Sequence, residues 1–318
     1  MRYFSGRVVG AASLCLALGV GATLLAQKTP SPGEAEASAP ETKFTTGITD
    51  VNVLFTVTDK KGRFVTDLTV NDFEVSENKK PQFIQQFTAE SDLPLRLALL
   101  IDTSNSIRSE FRFEQQAAIR FMNDVMRPRQ DRMLLLSFDS SPELQADLTS
   151  DMTKLEEGIN SMRPGGGTAL YDGIYFAAKQ KLMLDQPREK FRRAMIIISD
   201  GEDTQSRYTR DQALEAAQLA DTVIYAISTN ITRAESDGDK VLKYLTEETG
   251  GQAFFPFKVE DLDQSFENIA NELRHQYNIY YHPDPLKTDG LFHPIQVKVK
   301  TRKDLVVRAR KGYFAPRL

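Results

Sequence analysis

The sequence has no tryptophan, only three histidines and a single cysteine, and these shortages exclude several kinds of site. The histidines, His275, His282 and His293, all lie near the C-terminus. A zinc site with His and Cys ligands and a Ser-His-Asp hydrolase are therefore both disfavoured. The net charge of −4 provides no basic field, so nucleic acid is not expected as a partner.

The single cysteine lies in an N-terminal segment that is typical of an export signal. Two arginines precede an apolar run over residues 8–25, and small residues at Ala22 and Ala26 provide places for cleavage. The run is also nearly long enough to span a membrane, so an uncleaved anchor is the alternative. We predict that residues 1–26 are a signal peptide or an anchor. A membrane contact is expected only through that anchor.

The rest of the chain has no cysteine, and an exported protein without disulfides fits a bacterial periplasm, cell envelope or secreted protein. Residues 27–43 are rich in Ala, Pro, Glu, Ser and Thr and show no apolar periodicity, which predicts a disordered linker. Hydrophobic residues make up 41% of the sequence, which is sufficient for a folded protein.

The hydrophobic pattern changes twice along the folded part. Alternating apolar residues predict short strands over residues 44–92 and again over 276–318, whereas buried strands alternate with helices over 93–275. The middle part therefore predicts an α/β domain with a doubly wound, mostly parallel sheet. Each flank is too short to bury a core alone, so we expect both to form one β-sandwich into which the α/β domain is inserted. Two independent β appendages are the alternative.

The segment L-A-L-L-I-D-T-S-N-S over residues 97–106 brings polar groups to the end of a buried strand. Asp102, Ser104 and Ser106 follow the apolar run, at the carboxyl edge where open α/β sheets bind ligands. Carboxylate and hydroxyl oxygens suit Mg²⁺ or Mn²⁺ better than zinc. A turn in which Asp and Ser cap the next helix fits the same pattern.

Two further loops supply matching groups. Thr168 follows three glycines at the start of a predicted helix, and its hydroxyl either caps that helix or faces a metal. Asp200 ends the buried strand of the I-I-I-S-D-G segment, where it either begins an Asp-Gly turn or faces the same metal. Taken together, the three loops place oxygen-bearing side chains on one edge of one sheet.

These three motifs, in this order, resemble the von Willebrand factor type A (VWA) domain with a complete metal-ion-dependent adhesion site. The flanking β segments resemble bacterial exported proteins that carry this domain. The resemblance implies that Ser104, Ser106 and Thr168 provide hydroxyl oxygens to the cation. It implies that Asp102 and Asp200 act directly or through bound water.

Hydroxyl ligands leave the cation with excess positive charge and an open position, which a carboxylate of a protein partner can occupy. We therefore expect an adhesion or assembly module with Mg²⁺ or Mn²⁺, and not an enzyme. A metal-dependent hydrolase that uses Asp102 and Asp200 is one alternative. Glu202 and Asp203 are candidates for its base, although they are expected to form a solvated acidic turn. A scaffold without binding activity is another alternative.

In the family that this chain resembles, the last helix of the domain can shift when a ligand binds. Here that helix is predicted over Leu262–His275; it either shifts on ligand binding or stays fixed, and the fixed helix is favoured.

Overall fold

A computed structural model describes residues 50–89, 93–105, 111–187, 190–230, 234–256, 258 and 261–317. The predicted signal or anchor at 1–26 and the predicted linker at 27–43 lie outside these ranges. No helix within the described ranges is both long and apolar enough to span a membrane.

The described residues form strands and helices in two distinct patterns along the chain. The strands are β1 (Val51–Asp59), β2 (Phe73–Glu77), β3 (Lys80–Gln82), β4 (Ile84–Thr88), β5 (Leu95–Asp102), β6 (Arg132–Phe138), β7 (Pro142–Thr149), β8 (Arg192–Ser199), β9 (Thr222–Ser228), β10 (Ala253–Phe254), β11 (Tyr277–Tyr281), β12 (Phe292–Val299), β13 (Leu305–Ala309) and β14 (Gly312–Phe314). The α-helices are α1 (Phe111–Val125), α2 (Met152–Ser161), α3 (Leu170–Gln180), α4 (Arg210–Leu219), α5 (Asp237–Thr249) and α6 (Leu262–Arg274).

The middle of the chain forms a six-stranded sheet in the order β10-β9-β8-β5-β6-β7. All neighbouring strands are parallel except β6 and β7, which are antiparallel. Every residue of β5 and of β8 is buried, as expected for strands covered by helices on both faces. The predicted doubly wound, mostly parallel sheet is confirmed.

The helices cover the two faces of this sheet. Leu97 and Leu99 of β5 pack into a core with α1, α2 and α6, whereas Ala98 and Leu100 pack into a second core with α3, α4 and α5. The alternation follows from the two-residue period of a strand. Four apolar residues of α6 are buried in the first of these cores, namely Leu262, Phe266, Ile269 and Leu273. Whether that helix moves stays a prediction.

The flanking segments form one β-sandwich and not two separate appendages. One sheet has the order β13-β1-β11-β4 and the other β14-β12-β2-β3, so each sheet contains strands from both ends of the folded part. Their shared core includes Phe55 and Phe73 from the first flank and Tyr277 from the second, with ring centroids 5.1 to 5.5 Å apart. The insertion of the α/β domain into a sandwich is thus confirmed, while the boundaries 44–92, 93–275 and 276–318 stay predictions.

A buried polar network links the sandwich to the last helix of the α/β domain. The carboxylate of Glu272 on α6 forms an ion pair with Arg308 of β13 and accepts a hydrogen bond from the Tyr225 hydroxyl at 3.1 Å. Arg308 also donates to Gln252 and Thr56. α6 is thus joined to both β9 and the sandwich, and these contacts oppose its axial movement.

The edge strand β7 was not expected from the sequence. The structure begins β7 at Pro142 and pairs it antiparallel with β6. Only Ala146 in this strand is fully buried. A polar strand on a sheet edge lacks the apolar run that marked the central strands, and only its pairing with β6 identifies it.

Replacement of Arg308 by Ala is expected to lower the free energy of unfolding by about 3 kcal/mol, because Glu272 then stays buried without its cation. Burial raises the pKa of Glu272, and Arg308 opposes that rise. The variant's folded state therefore binds more protons than its unfolded state, and the loss should be smaller at pH 5 than at pH 8. Urea unfolding at the two pH values measures both effects.

The matched control is Arg302→Ala, which removes an exposed ion pair with Asp67 in the same sandwich. It should cost less than about 1 kcal/mol, without a marked pH dependence. Equal losses in the two variants would contradict a stabilising role for the buried pair.

Candidate functional site

The candidate site lies where the sheet changes its winding direction. The chain passes from β5 to β6 and β7 on one side, then returns to place β8 on the other side of β5. In open α/β sheets, ligands bind at such a switch point, outside the carboxyl ends of the strands. Here those ends carry Asp102 on β5 and Ser199 on β8.

Asp102 is buried and is held by hydrogen bonds from both strands. Its Oδ2 accepts from the Ser199 hydroxyl at 2.7 Å, and its Oδ1 accepts from the backbone N–H of Ser104 at 2.8 Å. The Ser104 side chain also hydrogen-bonds to it. Ser199 in turn accepts from the N–H of Gly201 at 3.0 Å. The carboxylate therefore has a single defined orientation at the sheet edge.

The electrostatic surroundings of Asp102 disfavour a lone negative charge. Burial raises the pKa of its carboxyl to about 6, although the hydrogen bonds from Ser199 and Ser104 lower it. The nearby carboxylate of Asp200 raises the pKa further. A cation bound beside Asp102 would stabilise the ionised form of its carboxyl.

Asp200 lies in a loop that is packed tightly against the start of α5. Its Oδ1 accepts from the N–H of Glu202 at 3.1 Å. The next residue, Gly201, has φ +81°, and a Cβ placed there would lie 2.2 Å from the carbonyl oxygen of Gly238. A Cβ on Gly238 would lie 2.1 Å from the carbonyl oxygen of Asp200. Only glycines allow this backbone contact, which sets the position of Asp200.

Thr168 is buried in the neighbouring loop and is clamped through its backbone. Its N–H donates to the Thr204 hydroxyl at 3.1 Å, and its carbonyl accepts from the N–H of Thr204 at 2.8 Å. The preceding loop reaches the β5 end, since the N–H of Gly165 donates to the carbonyl of Thr103 at 2.6 Å. The Thr168 hydroxyl has no hydrogen-bond partner among the described residues.

Two residues that were not predicted to have this role accept hydrogen bonds from backbone N–H groups at the start of α3. Asp203 accepts from the N–H of Tyr171 at 3.0 Å, and Ser206 accepts from the N–H of Asp172 at 2.9 Å. The expectation of a fully solvated acidic turn is therefore wrong for Asp203, while Glu202 is exposed. The alternative of Thr168 as the helix cap is also wrong, because the cap position belongs to Ala169.

The structure thus brings Asp102, Ser104 and Asp200 together and places Thr168 on an adjoining loop. Ser106 lies outside the described residues. Ser199 was not predicted to be a site residue, although its position directly before Asp200 at the end of a strand could have indicated one. No group of three or more His, Cys, Asp or Glu side chains in the described ranges is arranged to hold a metal.

The family model described as the von Willebrand factor type A domain matches residues 97–272. The comparison with curated proteins gave no match.

Several solved structures are similar at low identity. BatB from Bacteroides thetaiotaomicron is 17% identical, with 56% of this chain and 98% of that chain covered and a TM-score of 0.45. A von Willebrand factor type A protein from Catenulispora acidiphila is 11% identical, with 78% and 76% covered and a TM-score of 0.47. Proximal thread matrix protein 1 from the mussel byssus, with a zinc-occupied MIDAS motif, is 16% identical, with 60% and 49% covered and a TM-score of 0.49.

The family match spans more than half of the 318 residues, so the chain belongs to the von Willebrand factor type A family. Domains of this family bind a divalent metal at the adhesion site and are generally protein interaction modules.

The contact between Gly201 and Gly238 predicts a large difference between two otherwise similar glycine substitutions. Gly62→Ala and Gly201→Ala both place a side chain at positive φ, which costs roughly 1 kcal/mol. Gly62 has no atom within 4 Å of the new Cβ, whereas Gly201 meets backbone. Gly201→Ala should therefore cost roughly 2 kcal/mol more in urea unfolding. Equal costs would mean that the loop holding Asp200 is not constrained by this contact.

Proposed function

We propose that this protein is an exported adhesion or assembly module that captures a carboxylate of a protein partner through Mg²⁺. The cation would be held by Asp102, Ser104, Ser106, Thr168 and Asp200, with Mn²⁺ as a substitute. The two carboxylates would act directly or through bound water. The domain would bind its partner without catalysing a reaction.

The observation that carries this proposal is the pair of neighbouring carboxylates at the switch point of the sheet. Asp102 is buried, and Asp200 raises its pKa, so a cation would relieve both the desolvation and the repulsion. The donors around them are hydroxyl and carboxylate oxygens, which suit a hard divalent cation. The buried Thr168 hydroxyl, without a partner among the described residues, is consistent with a further ligand.

The residues around the site would bind and orient the partner. A cation with neutral hydroxyl ligands keeps positive charge and supplies an open position that attracts an acidic side chain. Ser199 fixes the orientation of Asp102, and the Gly201–Gly238 contact fixes the loop that carries Asp200. Such a preformed site reduces the entropy lost on binding.

Export is proposed from the sequence of residues 1–26. A chain without cysteine beyond that segment suits an envelope or secreted location. The anchor alternative would keep the binding domain at the membrane surface, joined through residues 27–43.

Calorimetric titration with Mg²⁺ tests the metal directly. The wild-type protein should bind one Mg²⁺, and Asp102→Ala and Thr168→Val should each weaken binding at least about tenfold, because a ligand oxygen is lost. Asp304→Ala, which removes an exposed carboxylate of the sandwich, should bind as the wild type does. Mg²⁺ binding that survives Asp102→Ala would contradict the proposed site.

Capture of partners from a bacterial envelope extract, with and without EDTA, tests the function. Partners should be retained in Mg²⁺ and lost in EDTA, and Asp102→Ala should behave in Mg²⁺ as the wild type does in EDTA. Recovery of the same partners in both conditions would exclude adhesion through the metal.

A further inference from the structure

A cleft of about 480 Å³ opens beside the candidate metal site. It lies between the start of α1 and the segment after α2, and its lining includes Arg112, Arg163 and Pro164. The chain continues from Pro164 to Gly165, whose N–H donates to the carbonyl of Thr103 on the metal loop. A molecule bound at the metal is therefore next to this cleft, which we call the arginine cleft.

The two arginines of the cleft are exposed. Arg112 and Arg163 form no ion pair within the part of the chain that the structure describes. One nitrogen of Arg163, Nη1, donates to the carbonyls of Asn160 and Met162, both at 2.7 Å, so the guanidinium is held in place. The other nitrogens of that exposed group form no hydrogen bond within the described residues, and a guanidinium group matches a carboxylate in geometry. The exposed side chains of Gln116 and Asn160 add neutral hydrogen-bonding groups.

Other parts of the rim are negative. Asp139 lies against the glycine loop, where a Cβ on Gly166 would lie 3.0 Å from its carboxyl carbon, and exposed Glu202 follows Asp200. The charges around the metal are therefore unequally distributed. An acidic segment of a partner would be repelled near Asp139 and Glu202 and attracted toward the arginine cleft.

We propose that the arginine cleft is a second subsite for an acidic segment of the partner protein. One carboxylate of that segment binds the metal, and a second carboxylate on the same segment pairs with Arg112 and Arg163. The inference rests on the proposed function and deepens it, because it assigns the partner's chemistry and its direction across the site. Long polyanions fit less well, because the negative groups on the rim oppose them.

Fluorescence anisotropy of the full chain with labelled synthetic peptides tests the subsite. The peptides are amidated glycine-serine decamers that carry one Asp, two Asp at spacings of two to six residues, or Asp and Lys at the same spacings. In Mg²⁺, the best peptide with two Asp should bind wild type roughly tenfold more tightly than the peptide with one Asp. The peptides with Lys should bind more weakly than the peptide with one Asp.

The double variant Arg112→Gln/Arg163→Gln should reduce the advantage of the second Asp to less than about twofold. Arg112→Glu/Arg163→Glu should reverse the preference, so that Asp with Lys becomes the better peptide. The matched control is Arg132→Gln, an exposed arginine at the opposite end of β6, and it should leave the preference unchanged. Thermal unfolding of each variant checks that its fold is intact.

The outcomes separate the two proposals. If wild type binds the one-Asp and two-Asp peptides equally in Mg²⁺, or if the preference survives in the double variant, the second subsite is wrong and carboxylate capture stands. If no peptide binds more tightly in Mg²⁺ than in EDTA, both the capture of carboxylates and the second subsite are wrong.

Discussion

The hydrogen bond from Ser199 to Asp102 joins the two strands on which the candidate site is built. It holds a buried carboxylate at the switch point of the sheet, where the chain leaves β5 toward β6 and leaves β8 toward β9, in opposite directions along the sheet. Burial of the charged carboxylate is unfavourable and raises the pKa of Asp102, so its ionised form lacks the stabilisation that water would give. A hard divalent cation bound beside the carboxylate would supply that stabilisation.

The surrounding structure keeps the donors at this edge in fixed positions. The loop carrying Asp200 contacts α5 through Gly201 and Gly238. In the same loop, Asp203 accepts a hydrogen bond from a backbone N–H at the start of α3. Three segments distant in sequence thus constrain one another by backbone contacts. The sandwich adds a second constraint from the far side, because Arg308 holds α6 through a buried ion pair. These contacts preorganise the donors at the edge of the sheet.

Much of the fold could be predicted because β5 and β8 are unbroken apolar runs that end in polar residues. The pairing of the two flanks followed from their size, since neither could bury a core alone. The features that could not be predicted from the sequence depend on contacts between segments that are distant in the chain. The N–H groups at the start of α3 donate to Asp203 and Ser206, which lie more than thirty residues away, so the local pattern offered only Thr168 as a possible cap. The edge strand β7 was missed because polar residues interrupt its apolar ones, so that no continuous apolar run marks it.

The most direct test of the account is a crystal structure grown with Mn²⁺, with anomalous scattering used to locate the ion. We expect one strong anomalous peak at the carboxyl edge between β5 and β8, roughly 2.2 Å from the hydroxyl oxygens of Ser104, Ser106 and Thr168. Asp102 and Asp200 should contact the ion directly or through one water. A peak elsewhere, or crystals saturated with Mn²⁺ that show none at this edge, would contradict the central claim.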